Sequence, residues 1–470
     1  MTIACGVSIL TRQLITTFQS SLRSPVPFPR VTLTGGGSLP SVFAVSDMAQ
    51  ASIAVAGAAL AAYVALNSGD PAPDVTVDRD LASAWFAGSL RPQGWNLAPA
   101  WDAVAGDYAC SDGWIRLHTN AVRHRDAALA VLGVPGDRTA VGAAVGTWSA
   151  QELEAAIVAS GGAAAAMRSI VEWREHPQGR AVASEPLIWF EATSVGERRD
   201  ESLPTSGRPL EGLRVLDLTR VLAGPVATRL LAGWGAEVLR IDPPDWDEPA
   251  LAPEVTMGKR CSRLDLRTAA GKATFIELLR SADVLVHGYR PGALDALGLG
   301  EDVRDEARRG LVDVSLDAYG WTGPWRQRRG FDSLVQMSSG IADAGRVASG
   351  GDRPTPLPVQ ALDHASGYLL AAAAITGLAR RRIDGTGSRW RTSPARVADV
   401  LIEAGPRWIP DELHGAPVIP EPTGPIERTA WGNALRIQAP LIVQGSPLQW
   451  TLPARPLGSD SPQWISADPA

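Results

Sequence analysis

One aspartate, Asp363, stands where a carboxylate could do covalent chemistry. It follows the extended run Leu357-Pro-Val-Gln360 and comes at the start of a long alanine-rich stretch, which predicts a helix. A carboxylate in this position has two interpretations. It caps the helix by accepting backbone N–H groups, or it attacks an activated carbonyl carbon as a nucleophile. The residue and its neighbours alone favour the cap, and both interpretations stay open at this point.

A second candidate site is the turn Leu222-Ala-Gly-Pro225, between a strand-like run and a helix-like run. Pro225 suits the first position of a helix, and backbone N–H groups at a helix start can hold a phosphate. Asp242, at the end of the next strand-like run, resembles the ribose-binding acid of NAD enzymes. The glycine pattern G-x-G-x-x-G is absent, which disfavours an NAD-type oxidoreductase. Without further residues, a tight turn that packs a helix on a sheet is the default interpretation.

Metal chemistry has little support in the sequence. His118 and His124 lie six residues apart, which is neither a helical nor a zinc-ligand spacing, and we interpret both as structural. The cysteines form no CxxC pair. We therefore expect no metal site and no disulfide framework, and a reducing cytoplasm is the expected compartment.

The composition limits the function classes. The chain has 470 residues and 45% hydrophobic residues, which predicts a globular protein of two or three domains. The net charge of −6 argues against nucleic-acid binding, which needs a basic surface. The longest apolar run, from Ile53 to Leu66, is too short to span a bilayer. We expect it to form a buried helix and expect no membrane association.

Strand-like and helix-like runs alternate in the middle of the chain. The patterns predict strands near 214–218, 236–241, 283–287 and 311–316, and helices near 225–234, 270–281 and 293–298. Such alternation is typical of right-handed βαβ units that form a parallel sheet. The fold class is therefore predicted as α/β, with a Rossmann-like parallel-sheet domain and a smaller α+β domain.

Four segments are predicted from composition and pattern. Residues 1–70 hold an N-terminal extension and a first Asp-plus-alanine-helix unit around Asp47, which resembles the unit around Asp363 as an internal repeat. Residues 71–205 form the small α+β domain and residues 206–385 the Rossmann-like domain. Residues 386–470 form a proline-rich segment, expected to be extended with a single short helix near 394–404.

Several motifs, taken in order, resemble one family. Leu210-Glu-Gly-Leu-Arg-Val-Leu-Asp-Leu-Thr-Arg-Val-Leu-Ala-Gly-Pro225, Gly235-Ala-Glu-Val-Leu-Arg-Ile-Asp-Pro-Pro244, Ala282-Asp-Val-Leu-Val-His-Gly-Tyr-Arg-Pro-Gly292 and Gly330-Phe-Asp332 are similar to the class III CoA-transferases. These are the relatives of formyl-CoA transferase, carnitine CoA-transferase and α-methylacyl-CoA racemase. The resemblance extends over the stretch that ends at Arg382 and implies that the Rossmann-like domain binds CoA.

The resemblance implies that Asp363 is the nucleophile. Its carboxylate would attack an acyl-CoA thioester, and an aspartyl-CoA thioester would then pass CoA to an acceptor acid. Since one thioester is exchanged for another, no cofactor is expected beyond the CoA thioester substrate. The helix start, expected at Ala365 to Gly367, would offer N–H groups to the developing oxyanion.

The family's CoA contacts carry over to seven positions: Val221, Ala223, Leu264, Arg267, Arg290, Leu297 and Tyr319. Two arginines that are common in relatives are missing, because Ala296 and Pro243 occupy their positions. Phosphate binding would then be weaker, or would depend on other arginines: Arg220, Arg260 or Arg263.

One residue separates the racemase branch from the transferase branch. A racemase needs a histidine base in a Gly-His-Asp setting to abstract an α-proton, and this chain has Phe331 there. CoA transfer between an acyl-CoA and a carboxylic acid is therefore the leading hypothesis. An acyl-CoA racemase-like enzyme and a catalytically degenerate CoA-binding protein are the alternatives.

The order of the segments departs from the family. Residues 81–193 resemble the small domain, which follows the large domain in relatives but precedes it here. Asp47 has no CoA domain before it, so we expect it to be vestigial or structural. Relatives form interlocked dimers, and a homodimer is the expected assembly. Substrate selectivity is expected from the tryptophan-rich loops of the small domain: Trp85, Trp95, Trp101 and Trp114.

Overall fold

The structure, a computed structural model, describes residues 9–196, 207–405, 416–419, 421–422 and 424–465. Its first part forms helices around a small sheet. The elements are α1 (Ile9–Leu22), β1 (Val31–Thr34), α2 (Val45–Ser68), β2 (Val75–Asp78), α3 (Arg79–Phe86) and β3 (Leu90–Pro92). Helix α1 falls in a stretch whose sequence has little pattern. It forms because Leu14, Phe18 and Leu22 share one buried face, at helical spacing.

The next segment is the small α+β unit. Its elements are β4 (Gly106–Ala109), β5 (Trp114–Leu117), α4 (Val122–Leu132), α5 (Arg138–Val145), α6 (Ala150–Ala159), β6 (Ala164–Ala166), α7 (Ile170–Glu175), α8 (Pro177–Ser184) and β7 (Trp189–Val195). Strands β4, β5 and β6 form an antiparallel sheet of their own. A short turn that includes Asp112 and Gly113 joins β4 to β5.

The middle of the chain contains the predicted alternation. Its elements are β8 (Arg214–Leu218), α9 (Ala223–Gly233), β9 (Glu237–Asp242), α10 (Ala252–Val255), β10 (Lys259–Arg263), α11 (Ala269–Arg280), β11 (Val284–His287), α12 (Ala293–Ala296), α13 (Glu301–Ala307), β12 (Val312–Leu316), α14 (Asp332–Ser338), α15 (Ile341–Ser349), α16 (Ala361–Asp384), β13 (Thr386–Thr392) and α17 (Pro394–Glu403). The four predicted strands are confirmed to within one residue at each end.

The proline-rich segment is more ordered than predicted. It adds β14 (Glu427–Thr429), β15 (Gly432–Arg436) and β16 (Leu441–Val443). Strand β15 pairs with β3, and β16 pairs with β2. These short strands carry little sequence signal because their pairing partners lie in the first part of the chain, far away along the sequence.

One seven-stranded sheet organises the molecule, in the order β10-β9-β8-β11-β12-β13-β7. All neighbours are parallel except β13 and β7. The predicted α/β class is therefore confirmed. Strands β7 and β13 extend the sheet beyond the limits predicted for the Rossmann-like domain, 206–385. The chain leaves β8 toward one edge and later returns to its other side at β11, which creates a switch point where such sheets bind ligands.

Helix α16 is the central helix of the core, and every residue from Ala361 to Ala379 is buried. It packs on α2, α9, β12 and β13. Gly367 permits the close approach to α9, since a Cβ atom there would lie 2.4 Å from the carbonyl oxygen of Ala223. At Gly377 a Cβ atom would lie 2.5 Å from Val312 Cγ1. These two glycines hold the start of α16 against α9 and its middle against the sheet.

Helix α2 is the counterpart of α16. Both have 24 residues, both carry an aspartate at the third position, and both end at a glycine with positive φ. Among the described residues, α2 is the helix long and apolar enough to cross a membrane, but 83% of its most apolar window is buried. It packs against α16. The prediction that the apolar run from Ile53 to Leu66 forms a buried helix is therefore confirmed.

The aspartate of α2 sits in a buried ion pair. Asp47 is 1% exposed, and its carboxylate lies 2.9 Å from Nη2 of Arg79 and 2.8 Å from Oγ1 of Thr11. Arg79 also donates to the carbonyl oxygen of Gly37 and to Ser38. The ion pair ties α2 to α3 and to the loop after β1.

Asp47→Asn is expected to lower the free energy of unfolding by about 3 kcal/mol, because it leaves the buried guanidinium of Arg79 without its counter-charge. Urea unfolding followed by circular dichroism measures the loss. The control is Asp70→Asn, at an exposed position after α2, which is expected to stay within about 0.5 kcal/mol of wild type. Equal stability of Asp47→Asn and wild type would contradict a structural function for Asp47.

Candidate active site

A cavity of about 540 Å³ lies at the carboxyl ends of the parallel strands. The segments that follow β8, β9, β10, β11 and β12 all contribute to its wall, as expected for ligand sites of this sheet type. The start of α4 closes one side with Arg123 and His124, and Asp363 of α16 faces the interior.

Asp363 is not the cap of its helix. Helix α16 begins at Ala361, with Gln360 in the cap position and no side-chain cap. Asp363 is 8% exposed, and its carboxylate accepts no hydrogen bond from the described residues. Of the two interpretations left open by the sequence, the structure removes the cap and leaves a carboxylate that is free to react.

A second carboxylate lies beside the first. The backbone N–H of Asp363 donates to Oδ2 of Asp332 at 2.9 Å, and Oδ1 of Asp332 accepts from Gln336. The amide oxygen of Gln336 in turn accepts from the N–H of Leu357, at 2.7 Å. This chain of hydrogen bonds fixes the start of α16, and with it Asp363, relative to α14.

The two carboxylates are hard to ionise together. Burial, and then the negative charge of Asp332, raise the pKa of Asp363 well above its usual range. Burial also raises the pKa of Asp332, to about 6, although hydrogen bonds from Asp363 and Gln336 oppose the rise. Two such groups titrate as a pair, so the charge of one controls the ionisation of the other.

The predicted oxyanion donors are wrong. The N–H groups of residues 365–367 lie inside α16, which begins earlier than that prediction assumed, and helical N–H groups bond to preceding carbonyl groups. The first turn is also occupied, since Ala361 donates to Val359 and His364 to Gln360. The proline and the extended-looking run before Asp363 concealed the true start of the helix.

The start of α9 forms the cavity wall nearest to α16. Val221, before the helix, has φ +65°, a conformation that is strained for a β-branched residue. Its N–H donates to Oε2 of Glu248 at 2.8 Å, and Glu248 is held by an ion pair with Arg240 and by Trp246. Ala223, the first residue of α9, lines the cavity, and no side chain caps its N–H groups.

A buried ion pair also fixes the loop between β8 and α9. Nζ of Lys259 is 2.9 Å from Oδ2 of Asp217 and 3.0 Å from the carbonyl oxygen of Pro225. It also donates to Thr228 at 2.6 Å. Both charged side chains are fully buried. The loop between β8 and α9 is therefore fixed at the end of β8 and at the first turn of α9.

The structure brings most of the predicted CoA-contacting residues together. Six of the seven line the cavity with Asp363: Val221, Ala223, Leu264, Arg267, Arg290 and Leu297. Tyr319 lies behind the wall, fully buried, with its hydroxyl 3.1 Å from Ser338. A direct contact between Tyr319 and CoA stays a prediction, as do the binding functions of the other six.

The arginines that line the cavity differ in part from the set that the sequence predicted. Pro243 and Ala296, at the positions of the missing arginines, both line the cavity. Of the three suggested replacements, Arg220 lines it, between the rings of Trp246 and Tyr289 at 5.3 Å each. Arg260 and Arg263 donate instead to backbone carbonyl groups of the C-terminal segment and of the turn after β9.

Sequence reasoning missed the residues that the small unit and the β12–α14 loop contribute. They are Arg123, His124, Arg328 and Arg329. His124 lines the cavity, and burial, with nearby arginines, lowers its pKa to about 4. His118 stacks on Phe331 at 3.6 Å. No cluster of three or more His, Cys, Asp or Glu side chains within the described ranges is arranged to hold a metal ion.

The four tryptophans predicted to control selectivity lie away from the cavity wall, whereas Trp246 is part of it. Trp85 is buried next to Trp450, and Trp101 lies under Arg116. No pattern near Trp246 distinguishes it from the other tryptophans in the sequence. Its position after β9 becomes informative only when the strand order is known.

The middle of the chain is similar in sequence to known proteins. Residues 210–426 match CoA-transferase family III. A probable fatty acyl-CoA transferase of Mycobacterium tuberculosis is 34% identical over 199 residues, covering 39% of this chain and 50% of that protein. Succinyl-CoA:glutarate CoA-transferase of Homo sapiens is 34% identical over 202 residues, covering 40% and 46%.

The solved structures include a hypothetical protein of Mycobacterium tuberculosis that is 33% identical. The match covers 42% of this chain and 57% of that chain, with a TM-score of 0.38. The chain spans about half the length of the curated relatives it matches. The matched region, residues 210–426, contains the cavity loops, Asp332 and Asp363, and is similar to CoA-transferase family III.

Proposed function

We propose that the protein is a CoA-transferase that moves CoA from an acyl-CoA to a carboxylic acid through an aspartyl-CoA thioester on Asp363. The observation that carries the proposal is the buried carboxylate of Asp363, which accepts no hydrogen bond from the described residues and faces a cavity at the switch point of the sheet. The names of the family III relatives, which include a fatty acyl-CoA transferase and a succinyl-CoA:glutarate CoA-transferase, support it.

The reaction balances with the groups of this chain and its two substrates. The Asp363 carboxylate attacks the thioester carbonyl, the C–S bond breaks, and a mixed anhydride and CoA thiolate form. The thiolate attacks the aspartyl carbonyl, which gives aspartyl-CoA and releases the first acid. The acceptor carboxylate opens that thioester to a new anhydride, and the thiolate then attacks the acceptor's carbonyl. Asp363 is regenerated, and neither ATP nor a metal is consumed.

The surroundings of Asp363 favour nucleophilic attack. A carboxylate removed from water and without hydrogen-bond donors is a stronger nucleophile than a solvated one. Its raised pKa has the same cause, since burial disfavours the charged form. The α9 start at Ala223 has no side-chain cap over its N–H groups, and it is part of the cavity wall. We infer that these N–H groups stabilise the oxyanion in place of those at 365–367.

The cytoplasmic location and the homodimer that the sequence indicates belong to this proposal. The scattered cysteines, which form no CxxC pair, support the first, and the resemblance to dimeric relatives supports the second. Light scattering of the purified protein measures its mass. A mass equal to one chain at every concentration would contradict the dimer.

Incubation with an acyl-CoA is expected to leave an adduct on Asp363. Acetyl-CoA, succinyl-CoA and palmitoyl-CoA are suitable probes, and borohydride converts the aspartyl thioester to an alcohol that peptide mass spectrometry locates. Asp47 provides an internal control in the same spectrum, because it occupies the same position in α2 but is paired with Arg79. The expected outcome is modification of Asp363 and none of Asp47.

Absence of modification with all three probes would contradict transfer through Asp363. A rise in melting temperature with free CoA would then identify a CoA-binding protein without transfer activity, since a ligand that binds the native state stabilises it. A rise with NAD instead of CoA would favour an oxidoreductase.

The pH dependence of adduct formation tests the pair of carboxylates. Attack requires ionised Asp363, so the rate is expected to rise with pH across a range well above the usual pKa of an aspartate. Asp332→Asn removes the neighbouring negative charge, which lowers the pKa of Asp363 and moves the acid limb of the profile to lower pH. The asparagine oxygen can still accept the N–H of Asp363. An unchanged acid limb would contradict the electrostatic coupling.

Racemisation is expected to be absent. Phe331 lines the cavity where a racemase would carry its histidine base, and the ring of His118 covers it at 3.6 Å. Incubation of 2-methylacyl-CoA with the protein in D₂O, followed by NMR, measures exchange of the α-proton. Exchange faster than in the Asp363→Asn variant would favour the racemase-like alternative.

A further inference from the structure

A third carboxyl group lies on the wall of the cavity. Asp317 follows β12 and lines the cavity together with Asp363, and it is 6% exposed. Its Oδ1 accepts the N–H of Gly320 at 2.8 Å, whereas its Oδ2 accepts no hydrogen bond from the described residues. The side chain is therefore held by one oxygen, and the other oxygen is available to a molecule in the cavity.

Asp317 belongs to the part of the wall that holds Asp363. A Cβ atom at Gly330 would lie 2.5 Å from Cβ of Ala318, the residue after Asp317. Asp332 comes two residues after Gly330, and its Oδ2 accepts the N–H of Asp363 at 2.9 Å. The end of β12 and the start of α16 are thus joined through the segment that enters α14. This arrangement places Asp317 on the side of the cavity where the acyl group would react.

The surroundings of Asp317 oppose a negative charge on it. Glu185, at the end of α8, is 4% exposed and accepts the N–H groups of Trp321 and Thr322 at 2.8 and 2.7 Å. Gly320 lies between the two acids, since a Cβ atom there would lie 3.0 Å from Oε2 of Glu185. Burial raises the pKa of Asp317 well above its usual range. The N–H of Gly320 opposes this rise in pKa, and the charge of Glu185 adds to it.

Within the described ranges, the cations of the neighbouring elements are bound elsewhere. Arg396 of α17 donates to a backbone carbonyl group, Arg391 of β13 pairs with an acid of α13, and Arg328 of the loop before α14 pairs with an acid of α6. Asp317 therefore keeps its proton at pH values where an ordinary aspartate has lost it. Since Oδ1 accepts a hydrogen bond, the proton lies on Oδ2 and makes that oxygen a donor.

The positive charge of the cavity does not reach these acids. Four arginines line the cavity without an ion-pair partner among the described acids: Arg123, Arg220, Arg290 and Arg329. They lie close to one another, since burial and then repulsion within this group lower the pKa of Arg123, Arg290 and Arg329. None of the four shifts the pKa of Asp317 or Asp363. A substrate carboxylate next to Asp363 therefore needs a donor other than these guanidinium groups.

Each half of the proposed reaction places a substrate carboxylate beside Asp363. The acid that the donor thioester releases and the acceptor acid that replaces it occupy the same position next to aspartyl-CoA. A carboxylate has two oxygens, so one oxygen can accept a hydrogen bond while the other attacks the aspartyl carbonyl. A hydrogen bond from a neutral acid to a carboxylate is charge-assisted and roughly twice as strong as one between neutral groups. One neutral donor can therefore hold both acids in turn.

We propose that Asp317 is a further catalytic residue, whose protonated carboxyl group donates a hydrogen bond to the reacting carboxylate of the leaving acid and of the entering acid. The inference rests on the proposed function and adds a residue to it. Asp363 and Asp317 then act in opposite protonation states. Asp363 must be ionised to attack, and Asp317 must keep its proton to bind the acid, so activity requires a pH at which both conditions hold.

Two variants of Asp317 test the proposal by label exchange between acetyl-CoA and radiolabelled acetate, and between succinyl-CoA and radiolabelled succinate. Asp317→Ala removes the donor and is expected to raise the KM for the acid at least about tenfold, as the loss of one hydrogen bond to a charged group predicts. Asp317→Asn keeps a neutral donor, and its amide oxygen can accept the N–H of Gly320. Its KM for the acid is expected to stay within about threefold of wild type.

The pH profile of exchange separates proton donation from a merely structural function. The wild-type rate is expected to rise as Asp363 ionises and to fall at higher pH as Asp317 loses its proton. Asp317→Asn has no proton to lose, so the fall at high pH is expected to disappear. Glu185→Gln removes the neighbouring charge, which lowers the pKa of Asp317 and moves the fall to lower pH. The glutamine oxygen can still accept the donors that reach Oε1 of Glu185.

The matched control is Asp302→Asn. Asp302 is exposed in α13 and lies off the cavity wall, so this variant is expected to keep the wild-type KM and pH profile. Circular dichroism checks that each variant is folded. If Asp317→Ala does not fold, the pH profiles of Asp317→Asn and Glu185→Gln decide.

A folded Asp317→Ala variant with the wild-type KM for both acids would overturn the proposal, and so would a fall at high pH that persists in Asp317→Asn. If exchange proceeds through an Asp363 adduct in either case, only this inference fails. If wild type shows neither exchange nor an adduct, the proposed function fails. Calorimetry of acetate and succinate with the CoA-saturated protein then tests Asp317 alone, and weaker binding by Asp317→Ala but not by Asp317→Asn is the result expected.

Discussion

The carboxylate of Asp363 is buried beside a second carboxylate, and the rest of the site depends on how the fold sustains that pair. Burial of an unpaired charge is unfavourable unless the group is protonated or the surrounding structure fixes it. Helix α16 fixes the carboxylate of Asp363, since the helix is buried throughout from Ala361 to Ala379. The hydrogen bonds from Asp363 to Asp332 and from Gln336 hold its first turn. A flexible helix start would let Asp363 turn to water and lose its raised pKa.

Helices α2 and α16 place the same residue in opposite electrostatic surroundings. The charge of Asp47 is balanced by Arg79 at 2.9 Å, whereas Asp363 has Asp332 as the charged neighbour that shifts its pKa. An ion pair between buried partners ties elements together but leaves no lone pair of high reactivity, because the hydrogen bonds stabilise the ionised form. The difference between a structural and a reactive aspartate therefore lies in one neighbouring residue from another element: a guanidinium from α3 or a carboxylate from α14.

The sequence predicted what depends on local pattern and missed what depends on pairing between distant segments. Strands β8, β9, β11 and β12 were predicted within one residue because a buried parallel strand is a continuous apolar run. Strand β13, Thr-Gly-Ser-Arg-Trp-Arg-Thr, has no such run. It joins the sheet by parallel pairing with β12.

The same limit applies to the site. Six cavity residues could be named from motifs because they lie in the segments that follow the strands, and Asp363 because it lies near the start of the alanine-rich helix α16. Arg123 and His124 could not, because nothing in α4 indicates which surface it faces. Phe331 was predicted as the position that separates the branches, yet its stacking on His118 requires the packing of the small unit.

The placement of α4 over the cavity follows from one edge of the sheet. Strand β7 pairs antiparallel with β13, with Trp189 opposite Arg391 and Glu191 opposite Arg389, which fastens the end of the small unit beside the last parallel strands. From there the unit reaches the loop before α14, where Glu154 binds both Arg168 and Arg328. A buried carboxylate shared by two arginines is costly to separate, so the small unit cannot shift without exposing a charge. The cavity is thus closed by a segment that precedes residues 210–426, because edge pairing and a shared counter-ion fix the position of that segment.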